Sequence, residues 1–518
     1  MTRKQLPIGI QNFREIREGG AYYYVDKTPL AIRLIEQGKY YFLSRPRRFG
    51  KSLFIDTLKE LFEGNAVLFN GLHAEKHWDW SVNYPVLRFS FGGGITQSAR
   101  ELESQIDSHL KRFEAASHCT VTDDSLAERF RSLILHVHNQ TGQRVVVLID
   151  EYDKPILDAI EHKEKALQIR DVLKDFYSVI KDADAHVRFA FLTGVSKFSK
   201  VSLFSGLNNL RDITLTREFS AICGYTDADV DTVFAPELPG LDRHEIRRWY
   251  NGYNWTGESV YNPFDLLLLF QERTFRPWWF ETGTPNFLVK LLTERGFFAP
   301  NLARLHAGEQ LLSAFDVDDI GNEALLFQTG YLTIHEVRQP ILGHWVYTLG
   351  YPNLEVESSL NASLLKGMGL DMSISFNNRL RLIELLQKQD FSAMKALFHA
   401  FFATIPHQWF RNNPIVQYEG YWASVFYSHF AALGLDIKLE DVTNHGQIDM
   451  TVTFEGHIYL FEFKVVELVP EGRALRQLQE RRYADKYRAI GPVHLIGVEF
   501  SKEQRNVVGF EVETVGQA

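Results

Sequence analysis

Over the first half of the chain, short apolar runs alternate with longer stretches whose apolar positions recur every three or four residues. The runs at 40–44, 85–91, 145–149, 187–193 and 212–215 predict strands. Between them, 52–62, 101–116 and 169–181 carry helical spacing. Crossovers of that length join parallel strands, so the pattern predicts a parallel α/β sheet. From 224 to 305 the pattern turns mostly helical, with Pro and Gly punctuation. Helical signals then alternate with short strands at 331–337 and 345–349, as in a small winged-helix-type unit. The stretch 366–378 holds two glycines and is the best boundary candidate, followed by helices at 379–389 and 391–404. A C-terminal unit follows: a helix at 418–433, strands at 435–441, 448–454 and 457–464, a helix at 471–487 and a strand at 493–500. The expected division is therefore 1–223, 224–370 and 371–518.

Composition narrows the class. The 518 residues are 45% hydrophobic and 23% charged, ordinary for a globular protein of two or three domains. With 39 Phe and 21 Tyr, the cores are expected to be bulky. A net charge of −9 gives no global basic field, so any nucleic-acid contact must be local. The two cysteines, Cys119 and Cys223, exclude a disulfide framework or cysteine zinc cluster. The first residues lead into no apolar leader core, and no apolar run approaches the roughly 18 residues that span a bilayer. A cytoplasmic protein without a membrane partner is expected.

The run at 40–44 is followed by Arg45-Pro46-Arg47-Arg48-Phe49-Gly50-Lys51-Ser52 and a helix. In this context Arg48, Phe49, Gly50, Lys51 and Ser52 are expected to cradle nucleotide phosphates through backbone N–H groups and the helix N-terminus. Lys51, expected in a solvated loop, would reach the β- and γ-phosphates, and Ser52 would ligate Mg²⁺. Arg45 stands where the usual loop has its first glycine, which predicts a differently shaped loop. A bare Gly-Lys-Ser also begins ordinary helices. Here it is joined by Val145-Val146-Val147-Leu148-Ile149-Asp150-Glu151, a strand ending in two acids. Asp150 would hold the Mg²⁺ shell and Glu151 would polarise the attacking water. Thr193, ending the next strand, would sit near the γ-phosphate if that strand neighbours the first. Lys197, Lys200, Arg211 and Arg217 are candidates for a charge-stabilising finger. Trp249 to Trp255 reads first as aromatic packing around a turn, with base stacking as the alternative.

A second constellation lies near the other end. Asp449 follows Gly446-Gln447-Ile448, and Glu462-Phe463-Lys464 closes the next apolar run. Asp449 and Glu462 can hold a hard cation such as Mg²⁺, and Glu419 is a candidate accessory ligand. Lys464 shares a strand face with Glu462 and can orient water or neutralise charge. A Glu-x-Lys pair is often a surface ion pair, but here it alternates with Phe461 and Phe463 in a strand built for burial. Arg473, Arg476, Arg481, Arg482, Lys486 and Arg488 make the following region locally basic, either as a solvated face or as a phosphate-backbone contact.

These stretches together resemble the bacterial family that joins an AAA-like ATPase domain to a C-terminal PD-(D/E)XK nuclease-like domain. The resemblance rests on Tyr24-Val25-Asp26-Lys27-Thr28, the Arg45 to Ser52 string, Asp150 to Pro155, Thr193 to Phe198, Ile405-Pro406, Gly446 to Asp449, Glu462 to Lys464, and Gln477 to Tyr483. It implies a P-loop AAA-like parallel-sheet domain, a helical and winged-helix-like middle, and a restriction-endonuclease-like α/β domain. It implies ATP on Lys51 and Ser52, Asp150 and Glu151 as a Walker B pair, and Asp449, Glu462 and Lys464 as a nuclease centre with Glu419 beside it. The family commonly has Arg at position 45. It often has Arg where this chain has Gln447, which removes a positive charge from the phosphate path.

The expectation is an ATP-binding and ATP-hydrolysing protein coupled to a Mg²⁺-dependent nuclease that cleaves DNA, in defence or mobile-element control. A homo-oligomer is an allowed arrangement. The alternatives are a nucleotide-switched interaction protein with a degenerate nuclease fold, and a nuclease directed at RNA.

Overall fold

A computed structural model describes residues 3–119, 125–197, 203–204, 207, 209–283, 289, 292, 299–309, 321–367, 372–403 and 419–516. The chain forms two compact units. One comprises Met1–Trp279 and His306–Asn353, the other Phe280–Leu305 and Leu354–Ala518. The stretch expected as a separate middle region over 224–370 is shared between them.

The first unit is built on a five-stranded parallel sheet. Its strands are β1 (Tyr40–Ser44), β2 (Val86–Ser90), β3 (Val145–Asp150), β4 (Val187–Gly194) and β5 (Arg211–Asp212), in the order β2-β3-β4-β1-β5. β1 and β3 are buried along their whole length, which is why they read as unbroken apolar runs. Helices Lys51–Phe62, Ala99–Ala116, Leu126–Thr141 and Lys163–Asp182 lie between the strands in sequence. Phe89, Phe130 and Phe176 lock β2 to two of these helices, with ring centroids 4.7–5.2 Å apart.

β5 is shorter than the expected 212–215. The Asp212 carboxylate accepts the Thr214 N–H at 2.9 Å, and the Thr214 hydroxyl accepts the Ser44 N–H at 3.0 Å. Side chains thus take over the ladder, and the chain turns. Helices Asp227–Thr232, Arg243–Tyr250 and Pro263–Glu272 form the expected helical segment around Phe234, Ile246, Tyr250 and Phe270. Helix Asn322–Thr329 precedes the antiparallel hairpin of β7 (Thr333–Ile341) and β8 (His344–Gly350), and β6 (Leu305–Gly308) completes a three-stranded sheet.

The second unit holds a mixed sheet, order β13-β12-β11-β10-β9. The strands are β9 (Asp436–Thr443), β10 (Gly446–Phe454), β11 (His457–Val466), β12 (Val493–Ser501) and β13 (Asn506–Val515). Only β11 and β12 run parallel, and the crossover between them carries helix Arg473–Glu480. Phe461 and Phe463 pack against Phe426 of helix Glu419–Ala431 on one face. On the other, Ile458 and Leu460 meet Leu478 and Tyr483.

The single helix expected over 471–487 is broken. Arg482 adopts a left-handed conformation (φ 49°), and a 3₁₀ turn Tyr483–Lys486 follows. At about 100° per residue, a continuous helix would point Tyr483 about 140° away from Leu478. The break returns Tyr483 to the same core. β13 had no counterpart in the sequence reading.

Candidate functional site

The loop after β1 runs from Arg45 to Gly50. Gly50 (φ 89°) ends it and caps helix Lys51–Phe62 with no side chain on the first-turn N–H groups. A helix N-terminus without a side-chain cap suits an anion. Lys51 is buried, not solvated as expected: its ammonium donates to the carbonyls of Arg45 and Pro46, each at 2.9 Å. Burial lowers its pKa, against the attraction of Asp150 and Glu151. The solvated-loop reading failed because the loop wraps its own carbonyls around the lysine.

Arg45 explains the missing glycine. It is fully buried and donates to the carbonyls of Ser44 (2.8 Å), Thr214 (3.0 Å), Phe219 (3.1 Å) and Ser220 (3.3 Å). Its guanidinium lies 4.0 Å from the centroid of Trp255, and burial lowers its pKa to about 10. Phe49 packs edge-on against Tyr253 and Trp255 at 4.7 and 5.5 Å. The aromatic turn is thus packing for the loop, as first expected.

Asp150 is buried at the end of β3, and the Thr193 hydroxyl donates to it at 2.9 Å. This follows from topology: β4 lies between β1 and β3, with Thr193 beside Leu43. Glu151 sits in the left-handed region (φ 56°). Burial raises its pKa while the Lys51 ammonium lowers it. Asp153, whose role sequence reasoning missed, is fully buried. It accepts the N–H groups of Val195 (3.2 Å) and Ser196 (2.7 Å) and the Ser196 hydroxyl (2.7 Å). Its only sequence signal was an acid three residues beyond Asp150. Of the finger candidates, Lys197 pairs with Asp212 at 2.9 Å, Arg211 and Arg217 are exposed, and Lys200 lies outside the described residues.

A cavity of about 380 Å³ is lined by Arg48, Gly50, Lys51, Ser52 and Glu151 and by Tyr24 and Phe264 among others. That volume is in the range of small-molecule sites. The Arg48 guanidinium lies 4.2 Å from the Phe264 ring centroid. An uncapped helix N-terminus, Lys51, the Ser52 hydroxyl and the half-buried Glu151, with Asp150 buried behind them, fit a nucleotide phosphate with Mg²⁺.

In the second unit the β10–β11 ladder ends at Met450 and Phe461. Just beyond, the Asp449 carboxylate accepts the Phe463 N–H at 2.8 Å. Lys464 donates to Glu462 at 3.0 Å and to the Phe463 carbonyl at 2.8 Å. Burial raises the pKa of Asp449, against the Phe463 N–H and the Lys464 charge. Glu462 is 1% exposed. Tyr483 lies within electrostatic reach of both carboxylates, and burial raises its pKa. Gly446 makes room for it: a β carbon there would stand 2.6 Å from the Tyr483 hydroxyl oxygen. Asp449, Glu462 and Lys464 are thus brought together. Helix Glu419–Ala431 carries Glu419, whose side chain lies outside the described residues.

Glu499, missed from sequence, fixes the helix beside this site. Its carboxylate accepts the N–H groups of Glu471, Gly472, Arg473 and Ala474 at 2.5–3.3 Å. Burial pushes its pKa up, but these four donors outweigh that and hold it below the usual range. The basic stretch is partly neutralised: Arg473 pairs with Glu471, Lys486 with Asp441 and Arg488 with Asp485. Among the described residues, no acid pairs with Arg476, Arg481 or Arg482.

Among the described residues no group of three or more His, Cys, Asp or Glu is placed to hold a metal. Two carboxylates suit Mg²⁺, which keeps several waters and takes one or two carboxylates plus substrate phosphates. No helix among the described residues is long and apolar enough to cross a membrane.

Comparison with known proteins agrees with this division. A model of predicted AAA-ATPases matches residues 7–204. A model of the PD-(D/E)XK nuclease superfamily matches residues 417–510. The chain is 63% identical over 517 residues to the "Uncharacterized protein in vnfD 5'region" of Azotobacter chroococcum mcd 1, covering 100% of both chains.

Proposed function

The chain belongs to the family that joins a predicted AAA-ATPase domain to a C-terminal PD-(D/E)XK nuclease domain, and on that premise we propose that it is an ATP-regulated, Mg²⁺-dependent nuclease acting on DNA. The observation that carries the reading is the meeting of Asp449, Glu462 and Lys464 through the Phe463 N–H. Residues Asp449 and Glu462 would hold Mg²⁺, with Glu419 as a further candidate. Bound there, the ion would supply an activated water and charge stabilisation for phosphodiester cleavage. Lys464 would neutralise charge on the cleaved phosphate. Arg476, Arg481 and Arg482 would meet the backbone.

In the first unit Lys51 and the amides of Arg48, Phe49 and Gly50 would bind ATP phosphates. Ser52 and Asp150 would hold Mg²⁺, Glu151 would orient water, and Thr193 would keep the Asp150 carboxylate aimed. A cytoplasmic role in defence or mobile-element control fits such an enzyme.

The test is cleavage of plasmid, linear and single-stranded DNA and of RNA, with Mg²⁺ or EDTA and with or without ATP. Metal-dependent DNA cleavage, altered by ATP and absent in Asp449→Ala, is expected. Cleavage of RNA alone would redirect the substrate. No cleavage of any substrate would favour a nucleotide-switched interaction protein. The exposed apolar tip of the β7–β8 hairpin, with Ile341 68% and Leu342 89% exposed, is the feature that speaks for that alternative.

A further inference from the structure

Two edges of the ATP site end on one short stretch of chain. Lys197 follows β4, and its buried N–H donates to Oε1 of Gln328 at 2.6 Å. Gln328 lies on helix Asn322–Thr329, in a sequence position 131 residues away. The helix ends at Gly330 (φ 92°), where a β carbon would stand 2.7 Å from Cγ of Pro46. Pro46 supplies one of the two carbonyls that hold Lys51. The next residue, Tyr331, packs on Trp279 at 5.4 Å, and the Trp279 indole N–H donates to the Arg47 carbonyl at 3.1 Å. β7 then begins, and its Thr333 hydroxyl accepts the Asn254 N–H at 2.7 Å. Asn254 sits between Tyr253 and Trp255, the two rings that pack against Phe49.

The segment between the site and Gln328 has little slack. Asp153 ties down the N–H groups of Val195 and Ser196, and the Ser44 hydroxyl donates to the Val195 carbonyl at 2.7 Å. Buried hydrogen bonds thus hold Val195 and Ser196 in the stretch between Thr193 and Lys197. Gln328 receives the Lys197 N–H at the end of that stretch; beyond it, Gly330 meets the phosphate loop, and Tyr331 and Thr333 lead into the hairpin.

We propose that Gln328 is a positioning residue that couples the strand bearing Thr193 to the phosphate loop, and that the β7–β8 hairpin reports the state of the nucleotide. The proposal rests on reading the first unit as an ATPase. It adds a specific conduit, within that unit, through which ATP and ADP are distinguished.

The experiment uses the full chain. Gln328→Met fills the same space but removes the acceptor, and Gln328→Glu keeps an oxygen at that place. ATP turnover in Gln328→Met is expected to fall about tenfold, as for a buried donor left unpaired, with KM for ATP changed less than about threefold. Gln328→Glu should recover most of the rate. Hydrogen exchange of residues 333–350 should differ between ADP and a non-hydrolysable ATP analogue in the wild type, and should not differ in Gln328→Met. If Gln328→Met fails to fold, Gln328→Asn withdraws the oxygen by one methylene and is read in the same way. Wild-type kcat together with a retained exchange difference in the variant overturns the coupling and leaves the ATPase reading standing. A wild-type chain that binds no fluorescent ATP analogue overturns the ATPase reading, and the coupling falls with it.

Discussion

The Asp449 carboxylate accepts the backbone N–H of Phe463 at 2.8 Å, between Glu462 and Lys464 in the chain. The bond serves two ends. It closes the sheet where the β10–β11 ladder stops, and it fixes the Asp449 carboxylate beside the strand that carries Glu462 and Lys464. Burial raises the Asp449 pKa, against the Phe463 N–H and the Lys464 charge, which favour its ionised form.

The stability consequence has a definite sign. The folded-state pKa of Asp449 is raised, so stability falls as pH rises past the ordinary aspartate pKa of about 3.9, and the loss is complete above the folded-state pKa. Asp449→Asn keeps an acceptor for Phe463 and removes the charge. It should melt higher than wild type in EDTA at neutral pH, the gain vanishing near pH 4, while DNA cleavage is lost and ATP turnover is kept. Asp449→Ala also strands the Phe463 N–H, which costs about 1–3 kcal/mol. Differential scanning calorimetry across pH checks both. A neutral-pH midpoint for Asp449→Asn below wild type would contradict the argument.

Arg45 should be the most costly residue of the phosphate loop to replace. Arg45→Gly restores the usual loop glycine but leaves four carbonyls and the Trp255 face without their partner. A loss of more than about 3 kcal/mol in the first unit is expected. Urea titration reads it, and a shift under 1 kcal/mol (order of magnitude) would mean that the loop holds itself.

Lys51→Ala should abolish binding of a fluorescent ATP analogue and also loosen the loop. Two hydrogen bonds to loop carbonyls disappear, so a destabilisation of about 1–3 kcal/mol accompanies the binding loss. Unchanged binding would remove Lys51 from the site.

Glu151→Gln should keep ATP affinity and slow turnover by about 10²–10⁴-fold, the usual contribution of a general base. Because burial raises the Glu151 pKa, wild-type turnover should fall, as pH drops, at a pH above the ordinary glutamate range of about 4.3. The residual rate of Glu151→Gln should lack that limb. An unchanged pH profile in the variant would assign the limb to another group.

The sequence by itself determined the local parts. An apolar run, a turn rich in Arg and Gly, and Lys51-Ser52 at a helix start encode a strand, loop and helix within 23 residues. The two-residue turn Glu455-Gly456 pairs Phe454 with His457 and so brings Asp449 and Glu462 toward each other. Such features rest on neighbours in the chain, where periodicity and turn chemistry act directly. Tertiary structure alone decided that β4 enters between β1 and β3, placing Thr193 on Asp150, because parallel strand order depends on crossovers and not on local pattern. It decided that Arg45 is buried on carbonyls up to 175 residues away, and that Lys51 is buried with it. It decided that the helix after Glu480 breaks so that Tyr483 returns to the core within electrostatic reach of the carboxylates, and that Glu499 caps that helix from another strand. In each case a buried polar group had to find its partner, and the partner lay wherever the packed fold brought a complementary atom.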